Sequence, residues 1–456
     1  MEASCELKAG TERPAQVGKK TAVRSADEVI PTAKTHSWFG VIWIIYLIDY
    51  ADRFAISAVL PAIQQEFALS DAQLGLMSGS LFLGLALLAV PCGFAVDRYS
   101  RTYMITLMTL VWSAATWGTG MAKSFGALVF ARILVGAGEA GYNPAGYALI
   151  SAWYPQRLRG TMVGLFNMAQ PLGVGLGIML AGHLAADFGW RAVFGVLALP
   201  GVVLALLMLF APDYKTRKVE PDGSRSVKPG LGDTLRYIAG NRTLQLIYLA
   251  QLPIAMYIMA CAIWGPTLFV RQYGLSLAES ASMVGIITIV AGFGAVVGGW
   301  YSDRISRGNP GARVTVCLLY LAVPLAFHSV TFIGSMVGTP LAVVVASFCF
   351  GQFFAAANWG TLVAASLDQS PPPYRASCQS FLPMFQAIAA LLAGVVSGLL
   401  SNQLGLPMTL EVLLVAGMLT AILLLRAARR HYDADYQSQQ RLGKFTLDLG
   451  GVNTAD

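Results

Sequence analysis

Charge is what this 456-residue chain has least of: 12% of its residues are Asp, Glu, Lys or Arg, while 56% are hydrophobic. Soluble domains carry about 25% charged residues, so a water-covered fold of this size is excluded and lipid must cover the surface instead. Cysteine is scarce and scattered. Cys5, Cys92, Cys261, Cys317, Cys349 and Cys378 stand singly, with no CxxC pair and no paired histidine. That pattern excludes a disulfide framework and a metal site. The first 37 residues contain no apolar run, so no cleavable signal peptide is expected. No nucleophile–base constellation or phosphate-binding loop occurs, which argues against an enzyme, a cofactor or ATP as the energy source. The net charge of +7 does not indicate nucleic acid, because the basic residues sit between apolar stretches rather than in one patch.

What is present is hydrophobic length. Stretches of about 20 apolar residues cross a bilayer as helices, and twelve are expected: 38–60, 74–96, 103–122, 126–151, 160–184, 191–211, 244–270, 278–301, 312–333, 340–366, 376–401 and 406–427. Lys and Arg test this count, since they collect on the cytoplasmic side. With both termini inside, 26 of the 31 fall in cytoplasmic segments. Lys123, Arg191 and Arg271 lie outside, and Arg53 and Arg132 lie within spans. The expected organisation is a cytoplasmic tail (1–37), a six-helix bundle (38–211), a polar cytoplasmic linker with a short helix near 231–239 (212–243), a second six-helix bundle (244–427) and a disordered cytoplasmic tail (428–456). No soluble output domain of the kind a membrane sensor carries is expected.

The two bundles share one plan. Residues 69–101 slid by 206 onto 275–307 match at twelve positions without a gap. Leu69-Ser70, Ala72, Met77 and Gly79 meet Leu275-Ser276, Ala278, Met283 and Gly285, and both copies end on Gly-x-x-x-Asp-Arg-x-Ser-Arg, at Gly93–Arg101 and Gly299–Arg307. Paired halves in an apolar chain are the architecture of secondary transporters, with the substrate site between them.

The duplicated Gly…Asp-Arg…Arg loop resembles the signature of the major facilitator superfamily, where it lies between helices 2 and 3 and between helices 8 and 9. Arg132-Ile133-Leu134-Val135-Gly136-Ala137-Gly138-Glu139-Ala140 is similar to the family's fourth-helix motif. The resemblance implies an all-α membrane protein of twelve transmembrane helices in two pseudo-symmetric six-helix bundles, working by alternating access. Asp49-Tyr50-Ala51-Asp52-Arg53-Phe54 and Gly138-Glu139-Ala140-Gly141-Tyr142 resemble two branches. One is the anion:cation symporters, which import organic acids with protons; the other is the Spinster group, which includes lipid transporters. The leading expectation is proton-coupled symport of a small organic anion, an aromatic or other carboxylate. The alternative is export or flipping of a lipid-like amphiphile. Expected partners are the anion, a proton and the bilayer, in a monomer resident in a bacterial inner membrane.

An ionisable group inside a span costs about 2.5–3.5 kcal/mol on insertion scales, so those present mark function. Asp52, Glu139 and Asp49 are the proton-coupling candidates. Asp49 and Arg53 stand four apart on one helical face and can pair. Arg53 is the candidate counter-ion or anchor for a substrate carboxylate, which its fork matches. Arg132 and Glu139 are separated by about 10 Å of helix rise; Arg132 is expected to snorkel at the outer boundary and to take part in gating. In the paired loops, Asp97, Arg98, Arg101, Asp303, Arg304 and Arg307 are the gate candidates. Polar and aromatic residues in the spans are candidate cavity lining: Tyr46, Tyr50, Tyr142, Asn143, Asn167, Gln170, Trp264, Gln352, Asn358, Trp359, Gln379 and Gln386. Pro144 is expected to kink helix 4. His183 and His328 read as packing residues, and Asp368 as lying near a membrane boundary.

Overall fold

With no water in the bilayer core, backbone polar groups must bond within their own segment, which leaves helices as the natural solution for such a chain. The computed structural model describes residues 31–212, 231–307, 309, 311–371, 374–379 and 381–450 and contains fifteen helices and no strand among them. The first half comprises α1 (Ala33–Phe67), α2 (Asp71–Arg98), α3 (Arg101–Met121), α4 (Phe125–Glu139), α5 (Tyr142–Trp153), α6 (Gln156–Phe188) and α7 (Trp190–Met208). The short α8 (Leu231–Gly240) stands in the linker, as the sequence leads one to expect. The second half comprises α9 (Arg242–Tyr273), α10 (Leu277–Ser306), α11 (Ala312–Met336), α12 (Leu341–Asp368), α13 (Arg375–Gln379), α14 (Phe381–Leu404) and α15 (Leu406–Gly450). Pairs α4/α5 and α13/α14 each make one crossing, giving six crossings per half.

Ten of the twelve crossings are long and apolar enough to span a membrane by composition alone. The other two, α1 and α3, are 35 and 21 residues long. Their composition explains the difference: α1 carries Asp49, Asp52 and Arg53, and α3 is rich in threonine. The repeat in sequence is a repeat in structure. Ser70 with Gln73, and Ser276 with Glu279, form reciprocal capping boxes that start α2 and α10, satisfying backbone N–H groups that a helix start leaves free.

Helix 4 departs from expectation. It breaks at Ala140-Gly141, with Gly141 preceding the first turn of α5, rather than kinking at Pro144. Proline is tolerated in a first turn, where its missing N–H has no intrahelical partner to lose. The described part of the region after Ala428 departs from the mostly disordered tail expected: helix α15 continues to Gly450. It is tied down by Asp435, which accepts from the backbone N–H and hydroxyl of Thr243 at 2.9 and 2.7 Å, and by Tyr432, whose hydroxyl donates to Asp368 at 3.1 Å. Asp368 thus lies at the end of α12, as expected of a boundary residue.

Alternating crossings place both ends of the described chain on one face, here the terminal face, and the turns at 68–70, 122–124, 189, 274–276, 337–340 and 405 on the far face. The halves meet along two seams, α2 against α14 and α6 against α10. Near the far face both seams close to backbone contact. A Cβ on Gly75 or Gly79 would collide with the backbone of Leu391, Gly394 or Gly398, and one on Gly182 with Ala281 and the Leu277 carbonyl. Toward the terminal face the same helices part: Gly160 and Gly164 of α6 and Gly299 of α10 face open space. The close backbone contacts between the halves therefore lie toward the far face.

Candidate functional site

Five ionisable side chains of the first half converge in its interior. Asp49, Asp52 and Arg53 come from the middle of α1, Arg132 from α4, and Glu139 from the last residue of α4, where the helix breaks. All are buried, with Arg53 the most exposed at 9% and Arg132 at 0%. Arg53 Nη2 donates to Asp49 Oδ2 at 3.0 Å. The same nitrogen lies 2.9 Å from Glu139 Oε2, an ion pair formed off the N–H direction. Asp52 Oδ2 accepts from the hydroxyl of Thr116 on α3. Arg132 Nη2 donates to the backbone carbonyl of Arg53 at 3.0 Å, locking α4 to α1.

Three carboxylates therefore face two guanidinium groups, a formal charge of −1 when all are ionised. Asp49 Oδ1, Asp52 Oδ1, Glu139 Oε1, Arg53 Nε and Arg132 Nε and Nη1 make no hydrogen bond among the described residues. Buried polar atoms are normally bonded, so this cluster has spare capacity for a proton or a polar guest. The expectation that Arg132 snorkels at the outer boundary is corrected. Its attachment to the Arg53 carbonyl draws it wholly inside, where it neighbours Asp52 and Glu139 rather than a gate. Thr116 was not legible as a site residue, because one threonine among the five of α3 carries no distinguishing signal.

Aromatic side chains wall the cluster on one side. The Arg53 guanidinium lies over the Tyr50 ring, 4.4 Å from its centroid, a cation–π geometry. Tyr46 meets Tyr50 edge-on at 5.1 Å and stacks on Phe166 at 4.4 Å. Tyr142 stacks behind Tyr46 and donates its hydroxyl to the Ile42 carbonyl. Tyr46 and Tyr142 are thus buried supports for Tyr50 and Arg53 rather than cavity lining. Asn167 is exposed and accepts from Tyr147 at 2.7 Å; Asn143 on α5 and Gln170 on α6 are partly buried.

Among the described residues, the second half supplies no comparable buried ion cluster. Trp264 is not cavity lining: it is fully buried and donates to the Ser397 hydroxyl at 2.6 Å, joining α9 to α14. Asn358 is fully buried with neither amide atom hydrogen-bonded among the described residues, and the same holds for Gln251, a residue the sequence reading passed over. Gln352, Trp359 and Gln386 are partly exposed, and Gln379 donates to Ser366 at 2.8 Å. His328 binds the Tyr257 hydroxyl and the Phe348 carbonyl, and His183 the Met179 carbonyl, as packing residues do. Glu411 of α15 accepts from Ser329 at 2.8 Å and adds an ionisable group missed in the span 406–427.

Of the gate candidates, Asp303 pairs with Arg313 at 2.6 Å, and Arg313 pairs in turn with Asp368 at 2.7 Å. This chain of charges joins α10, α11 and α12 within one half. Arg304, Arg307 and Arg98 are exposed, and Arg101 is partly buried. The side chain of Asp97 lies outside the described residues.

Comparison with known proteins gives the same architecture. The family model described as Major Facilitator Superfamily matches residues 42–351. The chain is 26% identical over 372 residues to a hexuronate transporter of Bacillus subtilis, spanning 80% of this chain and 87% of that protein. It is 28% identical over 363 residues to protein spinster of Drosophila melanogaster, spanning 75% of this chain and 58% of the relative. Among solved structures, a bacterial homologue of the human lysosomal transporter Spinster, inward-facing and unoccupied, superposes with a TM-score of 0.76 over 90% of this chain and 98% of that one at 22% identity.

Proposed function

This chain belongs to the Major Facilitator Superfamily and is a membrane transporter rather than an enzyme, and from that premise we propose that it carries a small organic carboxylate across the membrane together with a proton. The observation that supports this reading is the sharing of one Arg53 nitrogen between Asp49 and Glu139 inside a buried cluster with one more carboxylate than arginine. An uncompensated buried charge is costly, so a cluster of formal charge −1 favours one bound proton. Protonation of Glu139 weakens its hold on Arg53 and frees part of the guanidinium fork. A substrate carboxylate then replaces it, since a bidentate carboxylate suits that fork. Proton and anion thus favour each other's binding at one arginine, which is the thermodynamic content of symport.

Asp52, held by Thr116 and near Arg132, is the second proton candidate. Tyr50 and the exposed Asn167–Tyr147 pair supply a polar and aromatic wall for the body of the substrate. Gln352, Trp359 and Gln386 of the facing half complete the enclosure. The distribution of Lys and Arg supports a cytoplasmic terminal face. The hexuronate relative directs the choice of first substrate. A second reading, movement of a lipid-like amphiphile, is favoured by the superposition on the Spinster homologue and by the apolar character of the second half.

The test uses proteoliposomes with an imposed pH gradient and labelled hexuronate. The wild type accumulates substrate when the outside is acidic. Asp52→Asn and Glu139→Gln retain counterflow exchange and lose gradient-driven accumulation. Accumulation unchanged in both variants removes proton coupling through this cluster, and transport of a fluorescent phospholipid in place of hexuronate supports the second reading.

A further inference from the structure

Away from the charge cluster, the far face holds a polar knot that ties the two halves together. Arg271, in the last turn of α9, donates from Nη1 to Asp71 Oδ2 at 2.8 Å and from Nη2 to Asp71 Oδ1 at 2.6 Å, a bidentate fork. Nη2 also donates to Gln64 Oε1 at 2.9 Å. Asp71 further accepts from Gln64 Nε2 at 3.0 Å and from the Ser401 hydroxyl at 2.6 Å, while its backbone N–H donates to Asn402 Oδ1 at 3.0 Å. Gln64 and Asp71 belong to the first half; Arg271, Ser401 and Asn402 belong to the second.

The knot sits directly above the tightest part of the α2/α14 seam, where Gly75 meets Gly394 and Gly398. It also holds a strained turn. Ala68 is the one non-glycine residue at positive φ among those described, at φ 51, a conformation that costs an L-residue free energy. Gln64 spans that turn by donating to the Leu69 carbonyl at 3.1 Å.

The repeat shows that this device has no twin. Sliding by 206 places Leu277 at the position of Asp71, Gln65 at that of Arg271 and Val270 at that of Gln64. At the α6/α10 seam, Leu277 presents only its backbone carbonyl to Gly182, beside Ala281. One seam is closed by small apolar residues, the other by an ion pair with three helpers.

We propose that the Arg271–Asp71 fork is a lock that sets how much of the empty carrier rests closed at the far face. This inference rests on the alternating-access reading above. Once that face opens, α2 and α14 separate, the fork breaks, and both charges return to water. The lock therefore biases the resting state toward the terminal-face-open form without touching the substrate.

The test places spin labels at Gln65→Cys and Gln403→Cys, both exposed and on opposite sides of the knot, after replacing the six native cysteines. Distance distributions are read with the native lock, with Asp71→Asn and with Arg271→Gln, each with and without hexuronate. Each variant is expected to raise the ratio of long to short distances at least about tenfold, or about 1.4 kcal/mol. A change from about 0.01 to about 1 M ionic strength, which shortens the screening length from about 30 to about 3 Å, moves the native protein in the same direction. That measurement needs no variant to fold. Two populations that respond to hexuronate but overlay in all three proteins, with no response to salt, overturn the lock and leave alternating access standing. A single population throughout overturns both.

Discussion

Replacing Arg53 with glutamine tests the charge count at its centre. The change removes the shared partner of Asp49 and Glu139 and takes the cluster from a formal charge of −1 to −2. Breaking a buried ion pair from one side costs about 3–5 kcal/mol, because the orphaned charge stays desolvated. Two carboxylates are orphaned here, and both are almost wholly buried at 1% and 4% exposure. Arg53→Gln is therefore expected to lose about 3–5 kcal/mol of stability, and adding Glu139→Gln should return about half of that by restoring the original charge. Transport should not return in the double variant, since the anchor for the anion is gone. Stability is read by reaction of a thiol-reactive fluorophore during reversible SDS titration. Cys261, Cys317 and Cys378 are buried and report unfolding as they become reachable. An Arg53→Gln variant within about 1 kcal/mol of wild type, or a double variant less stable than the single, would refute the reasoning, since the buried-pair cost it relies on would be absent.

Other residues give sharper, smaller effects. Thr116→Val deletes the one hydrogen bond to Asp52 while preserving shape; hydrogen bonds to charged groups contribute about 1.5–3 kcal/mol, so the proton dependence of uptake should shift while substrate exchange at saturating proton persists. Gly75→Leu places a side chain against the backbone of Gly394 and Gly398 and should prevent closure of the far face, seen as loss of substrate release to the terminal side in counterflow. Asp435→Ala removes a carboxylate from the start of α9 and, like loss of a helix cap, should cost about 1 kcal/mol in the same SDS titration without changing substrate affinity. Asp303→Asn breaks an ion pair whose carboxylate is 64% exposed; pairs of that kind contribute under about 1 kcal/mol, so stability in the same SDS titration should hardly move.

The gap between sequence and structure is clearest at individual residues. Asp49 and Arg53 were legible as a pair because helical spacing alone fixes their proximity. Glu139 was legible as a site residue because a carboxylate in an apolar span needs a reason, yet its partnership with Arg53 depends on how α4 leans on α1. Arg132 looked like a snorkelling boundary residue, and only the packing of α4 against α1 drew it inward to the Arg53 carbonyl. Tyr46 and Tyr142 carried the right polarity for a cavity, but stacking on Phe166 turned them into its backing. Asp71 carried no signal in the sequence, since its partners lie 200 and 330 residues away.

The sequence by itself determined the crossings and the two-fold plan, because each follows from hydrophobic length and a gapless repeat. All of these are properties of segments considered one at a time in a bilayer. Which carboxylate meets which guanidinium, which seam carries the ion pair, and where the halves approach most closely are relations between segments. Packing alone decides them, since the approaches between helices, such as those at Gly75 and Gly182, and the break at Gly141 set the distances between charges on different segments.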